Sequence, residues 1–205
     1  ATENNVALTD QQQGAVRAAL TNKLSILTGG PGTGKTTTLR MVIHALEELD
    51  FSFALASPTG RAAKRLSEAT EHSASTIHRL LGYTPGEGFV YDEDNPLDID
   101  MLIVDETSML DLLLFFDLLK ALKPETHLML VGDVDQLPSV GAGNVLRDVI
   151  ASGVPHVTRL EVIFRQDENS HIVVNAHRIN NGDAPFMDNN SKDFYFFGEE
   201  DPVRA

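Results

Sequence analysis

The run Gly29-Gly30-Pro31-Gly32-Thr33-Gly34-Lys35-Thr36 satisfies the pattern G-x-x-x-x-G-K-[ST] in full. Glycines in such a run let backbone N–H groups point at phosphate oxygens, an approach that side chains would block. The run follows a short β-branched stretch, Leu24–Thr28, and opens a helix-period stretch, so the positive end of a helix adds to the attraction for an anion. In that setting Lys35 reaches the β- and γ-phosphates of a nucleoside triphosphate, and the Thr36 hydroxyl coordinates Mg²⁺. Asp105 and Glu106 stand directly after a buried-type run, Met101–Val104. A carboxylate at Asp105 is placed to hold Mg²⁺, directly or through water, and Glu106 to polarise a water in line with the γ-phosphate. Gly132-Asp133-Val134-Asp135-Gln136-Leu137-Pro138 follows the next apolar run. Gln136 is uncharged and can donate to a γ-phosphate or accept from water, whereas Asp133, Asp135 and Pro138 also suit the turn itself.

The elements that carry these residues follow from periodicity. Strands are expected at Leu24–Thr28, Phe53–Ser57, Met101–Val104, Leu128–Val131, Val157–Leu160 and Phe194–Phe197. Helices are expected at Lys35–Glu48, Arg61–Ala69, Thr76–Leu81, Leu110–Leu122, Val145–Ile150 and Ile172–Ile179. Short continuous apolar strands alternating with helices predict an α/β fold: a parallel sheet with helices on both faces. Ligands of such sheets bind beyond the carboxyl ends of the strands, where Gly29–Thr36, Ser57–Gly60, Asp105–Glu106 and Gly132–Gln136 all fall. Gly82–Asp98 breaks the alternation. Its Pro, Gly and acidic residues flank Phe89-Val90-Tyr91, which predicts a small inserted hairpin.

The chain has 205 residues, with 16 Lys and Arg against 30 Asp and Glu, a net charge of −14, and no Cys. The absent thiols exclude a disulfide scaffold, a thiolate metal site and a Cys nucleophile. No apolar run nears the ~18 residues of a membrane span and the first residues carry no secretory pattern, so a soluble, cytoplasmic protein is expected. The seven His show no ligand spacing, and no metal other than Mg²⁺ is expected. The acidic balance argues against a general electrostatic grip on nucleic acid. Charge is nonetheless local: Arg61, Lys64, Arg65 and Arg79 crowd 58–81, while 82–100 is acidic without a single Lys or Arg.

Taken in order, the motifs resemble those of superfamily 1 DNA helicases, specifically the RecD-like branch. LTDQQQGAV (8–16) resembles the adenine-reading Q motif, GGPGTGKTTT (29–38) motif I, and ASPTGRAAKRL (56–66) motif Ia. STIHRLLG (75–82) is similar to the motif that follows Ia in this branch, LIVDETSML (102–110) to motif II, LVGDVDQLPSVGAGNVL (130–146) to motif III and LEVIFRQ (160–166) to motif IV. The resemblance implies the first RecA-like motor domain of an ATP-driven translocase on single-stranded DNA, moving 5′ to 3′. Carried over by position, Gln12 reads adenine, unless Gln11 or Gln13 takes that role. Gly29, Gly30, Pro31, Gly32, Thr33, Gly34, Lys35, Thr36 and Thr37 hold the ATP phosphates, with Thr36 and Asp105 on Mg²⁺. Glu106 is the general base, Gln136 couples the γ-phosphate to DNA, and Arg165 stabilises charge on the γ-phosphate. Pro58, Thr59, Gly60, Arg61, Thr76 and His78 match DNA-contacting positions. The insertion at 82–98 occupies the place of a duplex-splitting pin, although its acidity suits a wedge poorly.

The domain reading that results is a motor domain over 1–81 and 99–192, the inserted 82–98, and 193–205 as the start of a link onward. Nothing after Arg165 resembles motifs V and VI, which the family carries on a second RecA-like domain, so the chain is expected to be part of a longer protein. That second domain normally supplies an arginine finger worth ~10³–10⁵ in rate, so this chain alone is expected to bind ATP–Mg²⁺ but hydrolyse it poorly. Nuclease or recombination subunits are expected as further partners. Two other readings use the same residues: a P-loop ATPase of another class, and an ATP-binding scaffold subunit of a nuclease complex. The first leaves SPTGRAAKRL (57–66), Gln136-Leu137-Pro138 and Phe164-Arg165-Gln166 unexplained, and the intact Lys35, Thr36, Asp105 and Glu106 argue against the inert site of the second.

Overall fold

The computed structural model describes residues 8–162, 170–187 and 192–197. These divide into two compact units. One takes the described residues up to Gly29 together with Lys35–Leu160, and the other takes Gly30–Gly34 with the described residues from Glu161 on.

The first unit is a parallel sheet of six strands: β1 (Leu24–Gly29), β2 (Phe53–Ser57), β3 (Ala74–Thr76), β4 (Met101–Val104), β5 (His127–Gly132) and β6 (His156–Leu160), in the order β3-β2-β4-β5-β1-β6. Its helices are α1 (Asp10–Thr21), α2 (Lys35–Glu48), α3 (Gly60–Thr70), α4 (Ile77–Leu80), α5 (Leu112–Lys120) and α6 (Val145–Ala151). Successive strand residues point to opposite faces, and the core divides accordingly. Ile26, Ala56, Leu102, Val104, Leu128 and Leu130 face a core shared with Ile77 and Leu81, Leu114 and Leu118 of α5, and Val145 and Leu146 of α6. Their alternates Leu27, Leu55, Met101, Ile103, Met129 and Val131 face Ala15 and Ala19 of α1, Leu39, Val42, Ile43 and Leu46 of α2, and Leu66 of α3. Burial on both faces explains why these strands read as unbroken apolar runs.

Two elements lie outside the sequence expectation. The fully buried apolar residues of helix α1 are all alanines, Ala15, Ala18 and Ala19, which leaves a weak period. Strand β3 is three polar or small residues long. Three expected features are corrected. The helix expected at Leu110–Leu122 is a 3₁₀ turn, Thr107–Met109, followed by α5; the Asp111 side chain accepts from the Leu114 N–H at 2.9 Å and sets the later start. Phe194–Phe197, a continuous aromatic run, is not one of the six strands of the sheet.

Nor is 82–98 a two-stranded hairpin. It forms one antiparallel bridge, Thr84 to Gly88, and the rest is turns. Asp92 Oδ1 accepts from the N–H groups of Asp94 and Asn95, and Leu81 O accepts from both Val90 and Tyr91 N–H. Local acceptors, the Leu81 carbonyl and the Asp92 carboxylate, satisfy the backbone donors that a second strand would have used. Phe89 and Tyr91 pack against the core of the sheet.

The second unit contains α7 (His171–Asn180), capped by Ser170, whose side chain accepts from the Val173 N–H at 3.3 Å. Asn175 is buried in it and pairs twice with Phe186: its Nδ2 donates to Phe186 O at 3.2 Å, and its Oδ1 accepts from Phe186 N–H at 2.7 Å. No helix among the described residues is long and apolar enough to cross a membrane.

Candidate active site

Because every strand is parallel, all carboxyl ends lie on one edge of the sheet. The register places Thr28 beside Gly132, Val104 beside Leu130 and Ser57 beside Thr76. Lys35, Asp105, Glu106 and Asp133 therefore leave the tips of β1, β4 and β5, which are sheet neighbours.

Lys35 opens α2, and its Nζ donates to Gly29 O at 2.6 Å. Burial lowers its pKa, while the charges of Asp133, Glu106 and Asp105, in that order, act to raise it. Asp105 shows the reciprocal effect. Burial pushes its carboxyl up to about 6 and the charge of Glu106 adds to the rise, against the Glu106 backbone N–H and the Lys35 ammonium. The acid is pinned twice by β2: Asp105 N–H donates to Ala56 O at 2.9 Å, and its own carbonyl accepts from the Ser57 hydroxyl at 3.1 Å. Glu106 lies in the left-handed region, φ 54° and ψ 41°, so the chain turns sharply just past the strand. The buried Thr107 hydroxyl then donates to Val131 O at 2.9 Å. A Cβ at Gly132 would lie 2.7 Å from that hydroxyl oxygen, so glycine there is what lets the two tips close on one another.

A carboxylate with this desolvation cost is one that a divalent cation stabilises, and an exposed hydroxyl at Thr36 suits the same ion. Among the described residues no three His, Asp or Glu group to hold a metal by themselves. Such a sparse donor set fits Mg²⁺, which keeps waters and takes its remaining oxygens from phosphates.

The other expected residues fall as follows. Gly30–Gly34 curls on itself, with the Thr33 hydroxyl donating to Gly30 O at 2.8 Å and Gly32 and Gly34 at φ 74° and 85°, which favours glycine. Thr37 is half-buried on α2. Gln12 is buried in the capping box of α1: its Oε1 accepts from Thr9 N–H at 3.0 Å, and its Nε2 has no hydrogen-bond partner among the described residues. Gln13, in contrast, is exposed, with Nε2 donating to Leu8 O at 3.1 Å. Gln136 is exposed on the loop after β5, where Asp133 Oδ1 accepts from Asp135 N–H at 3.0 Å and gives Asp133 a turn-building role beside its charge. Arg165 lies outside the described residues.

Pro58, Thr59, Gly60, Arg61, Thr76 and His78 gather at the tips of the other sheet neighbours, β2 and β3. Thr59 caps α3, accepting from Ala62 N–H at 3.3 Å, and Thr76 caps α4, accepting from Arg79 N–H at 3.2 Å. Each hydroxyl thus spends a lone pair on a helix and keeps its O–H proton to donate. His78 is exposed, its ring edge-on to Tyr83 at 5.5 Å and tilted to Phe89 at 6.0 Å, with Tyr83 and Phe89 5.0 Å apart. Sequence reasoning missed Tyr83 and Phe89 as neighbours of that histidine; aromatic residues flanking a Gly- and Pro-rich turn were the available signal.

An AAA-domain family model matches residues 12–142. The chain is 43% identical over 178 residues to the ATP-dependent RecD2 DNA helicase of Deinococcus radiodurans, covering 87% of this chain and 24% of that one. It is 39% identical over 201 residues to the RecBCD enzyme subunit RecD of Mycolicibacterium smegmatis, covering 85% of this chain and 36% of that one. The chain thus spans well under half the length of these relatives. The crystal structure of the Pif1 helicase from Candida albicans is similar in fold, with a TM-score of 0.66 at 22% identity over 88% of this chain and 45% of the other. A Bacteroides Pif1 bound to single-stranded DNA gives 0.58 at 22% identity over 88% of this chain and 47% of the other.

Proposed function

The chain belongs to the AAA-domain family, in its RecD-like helicase branch, and from that premise we propose that it is the ATP-hydrolysing motor domain of a longer DNA helicase. The observation that carries the proposal is the cluster at the tips of β1, β4 and β5: one half-buried ammonium facing the charges of three carboxylates. Lys35 holds the β- and γ-phosphates; on binding it exchanges its bond to Gly29 O for phosphate oxygens. Thr36 and Asp105 hold Mg²⁺, which when bound neutralises charge shared between the β- and γ-phosphates. Glu106, turned out of the strand by its left-handed backbone, orients water and takes its proton. Gln12 reads the adenine edge with its amide N–H₂, which has no hydrogen-bond partner among the described residues and reaches the base by turning out of its buried position.

On the β2 and β3 side, Thr59 and Thr76 donate their hydroxyl protons to DNA phosphates. Pro58, Gly60 and Arg61 line the same path, and His78 stands beside it. Such contacts are independent of sequence, as a motor requires. Gln136, on the loop after β5, couples the two sides. Arg165 and a second RecA-like domain complete the charge on the γ-phosphate, and single-stranded DNA is the track, followed 5′ to 3′. Association with recombination subunits belongs to the same reading, since one relative is by name a subunit of the RecBCD enzyme. Activity in the cytoplasm is part of it as well.

Calorimetry with Mg-ADP on this chain tests the nucleotide half of the proposal. Binding is expected for the native chain, and Lys35→Ala is expected to weaken it by at least about tenfold, the loss of a charge-assisted bond. No binding by the native chain at saturating nucleotide overturns the proposal.

A further inference from the structure

The pattern G-x-x-x-x-G-K-[ST] demands glycine at Gly29 and Gly34 and leaves position 30 open. The structure supplies a reason for glycine there. A Cβ at Gly30 would lie 2.6 Å from His177 Cε1 and 3.2 Å from Nε2. The imidazole lies flush on the backbone at the start of the phosphate loop, and its Nε2 is 3.4 Å from Pro31 O. With the proton on Nε2, the ring donates to that carbonyl.

His177 is held in place by its helix. Two residues before it, Asn175 is buried and doubly bonded to Phe186. One residue after it, Arg178 Nε donates to Ala184 O at 2.8 Å, and its guanidinium lies 4.1 Å from the centre of the Phe186 ring. At the start of the helix, Asp193 accepts from the Ser170 hydroxyl at 2.5 Å and from His171 N–H at 3.1 Å. At about 100° per residue, position 177 projects away from Asn175, so the anchored face fixes the one that meets the loop.

We propose that His177 is a positioning residue for nucleotide binding: it braces the Gly30-Pro31 backbone so that the loop's N–H groups already converge before the phosphates arrive. The proposal rests on the phosphate loop being the nucleotide site. No motif of the sequence reading includes His177. Gly30 and His177 act as a matched pair, because a methyl group at position 30 can be accommodated only by pushing the ring off the loop.

The test is a double-mutant cycle on this chain, with Mg-ADP affinity as the readout. His177→Ala is expected to weaken binding about fivefold, the worth of one lost hydrogen bond. Gly30→Ala should weaken it similarly, and the double variant should be no worse than the weaker single variant. His177→Gln, whose amide can donate to the same carbonyl, should recover most of the affinity. In the full-length protein the same variants should raise KM for ATP while changing kcat less. Losses that multiply in the double variant, or native affinity in His177→Ala, overturn the proposal. If the native chain fails to bind Mg-ADP at all, it is the nucleotide reading that falls, which separates the two failures. Circular dichroism melting of each variant shows whether it is folded, and His177→Gln, a conservative change, keeps the test decisive if either alanine variant is not.

Discussion

The carboxyl edge of the sheet carries two clusters built in opposite ways. At β1, β4 and β5 the groups are charged and partly dry: Lys35 is pulled down, Asp105 is pushed up to about 6, and each owes most of its shift to burial. At β2 and β3 the groups are hydroxyls already serving as helix caps, beside an exposed histidine and an exposed arginine, Arg61. The first cluster stores electrostatic tension that a phosphate and a divalent ion would relieve. The second offers mild donors on rigid helix starts, suited to a strand that must be gripped and released. On the proposed function, one edge separates a site for chemistry from a site for sliding, and the difference lies in desolvation as well as in residue identity.

The most severe way to probe this contrast is at the charged cluster. Glu106→Gln in the full-length protein is expected to lower ATP turnover by about 10²–10⁴, the range for loss of a general base, while Mg-ADP affinity changes little. Turnover within a factor of two of native would remove Glu106 from the chemistry.

Next in size is the stored tension itself. Asp105 has a native pKa of about 6 against 3.8 unfolded. The native state therefore binds the proton more tightly, and this contribution to stability is full below about pH 4 and lost as pH rises through 6. In magnesium-free buffer Asp105→Asn should stabilise the chain by about 2–3 kcal/mol at pH 8 and by almost nothing near pH 4. Urea denaturation at the two pH values checks both the size and the sign. A variant less stable than native at pH 8 would mean the carboxylate sits comfortably, and the contrast between the clusters would lose its basis.

The smallest effect is expected on the sliding side. His78→Ala should reduce DNA-stimulated ATPase of the full-length protein by about three- to tenfold, the worth of one base or phosphate contact, with basal ATPase unchanged. Thr59→Ser, which keeps the cap, should behave like native, whereas Thr59→Ala also forfeits about 1 kcal/mol of helix capping. Equal loss of basal and stimulated rates for His78→Ala would remove that residue from the DNA side.

Much of this was legible in one dimension. Strands β1, β2, β4 and β5 are buried on both faces, so their runs are continuous and their ends are marked by Gly, Pro or Asp. Helix α2 was read to the residue from Leu39, Val42, Ile43 and Leu46. Helix α1 and strand β3 were not, since alanines and three small polar residues carry little periodic signal. The insertion differs from its expected form for a related reason: Phe89-Val90-Tyr91 looks like a strand, but Val90 and Tyr91 N–H both donate to Leu81 O.

Residue types and their spacing were enough to mark the phosphate loop, the acidic pair and the parallel sheet, because each depends on contacts between near neighbours in the chain or on a period within one element. Which acid is desolvated, which of three adjacent glutamines is buried, and what lies against Gly30 were decided only in three dimensions. Those outcomes depend on how separate elements pack, as with His177 over Gly30, and no local pattern encodes a contact made by a distant helix.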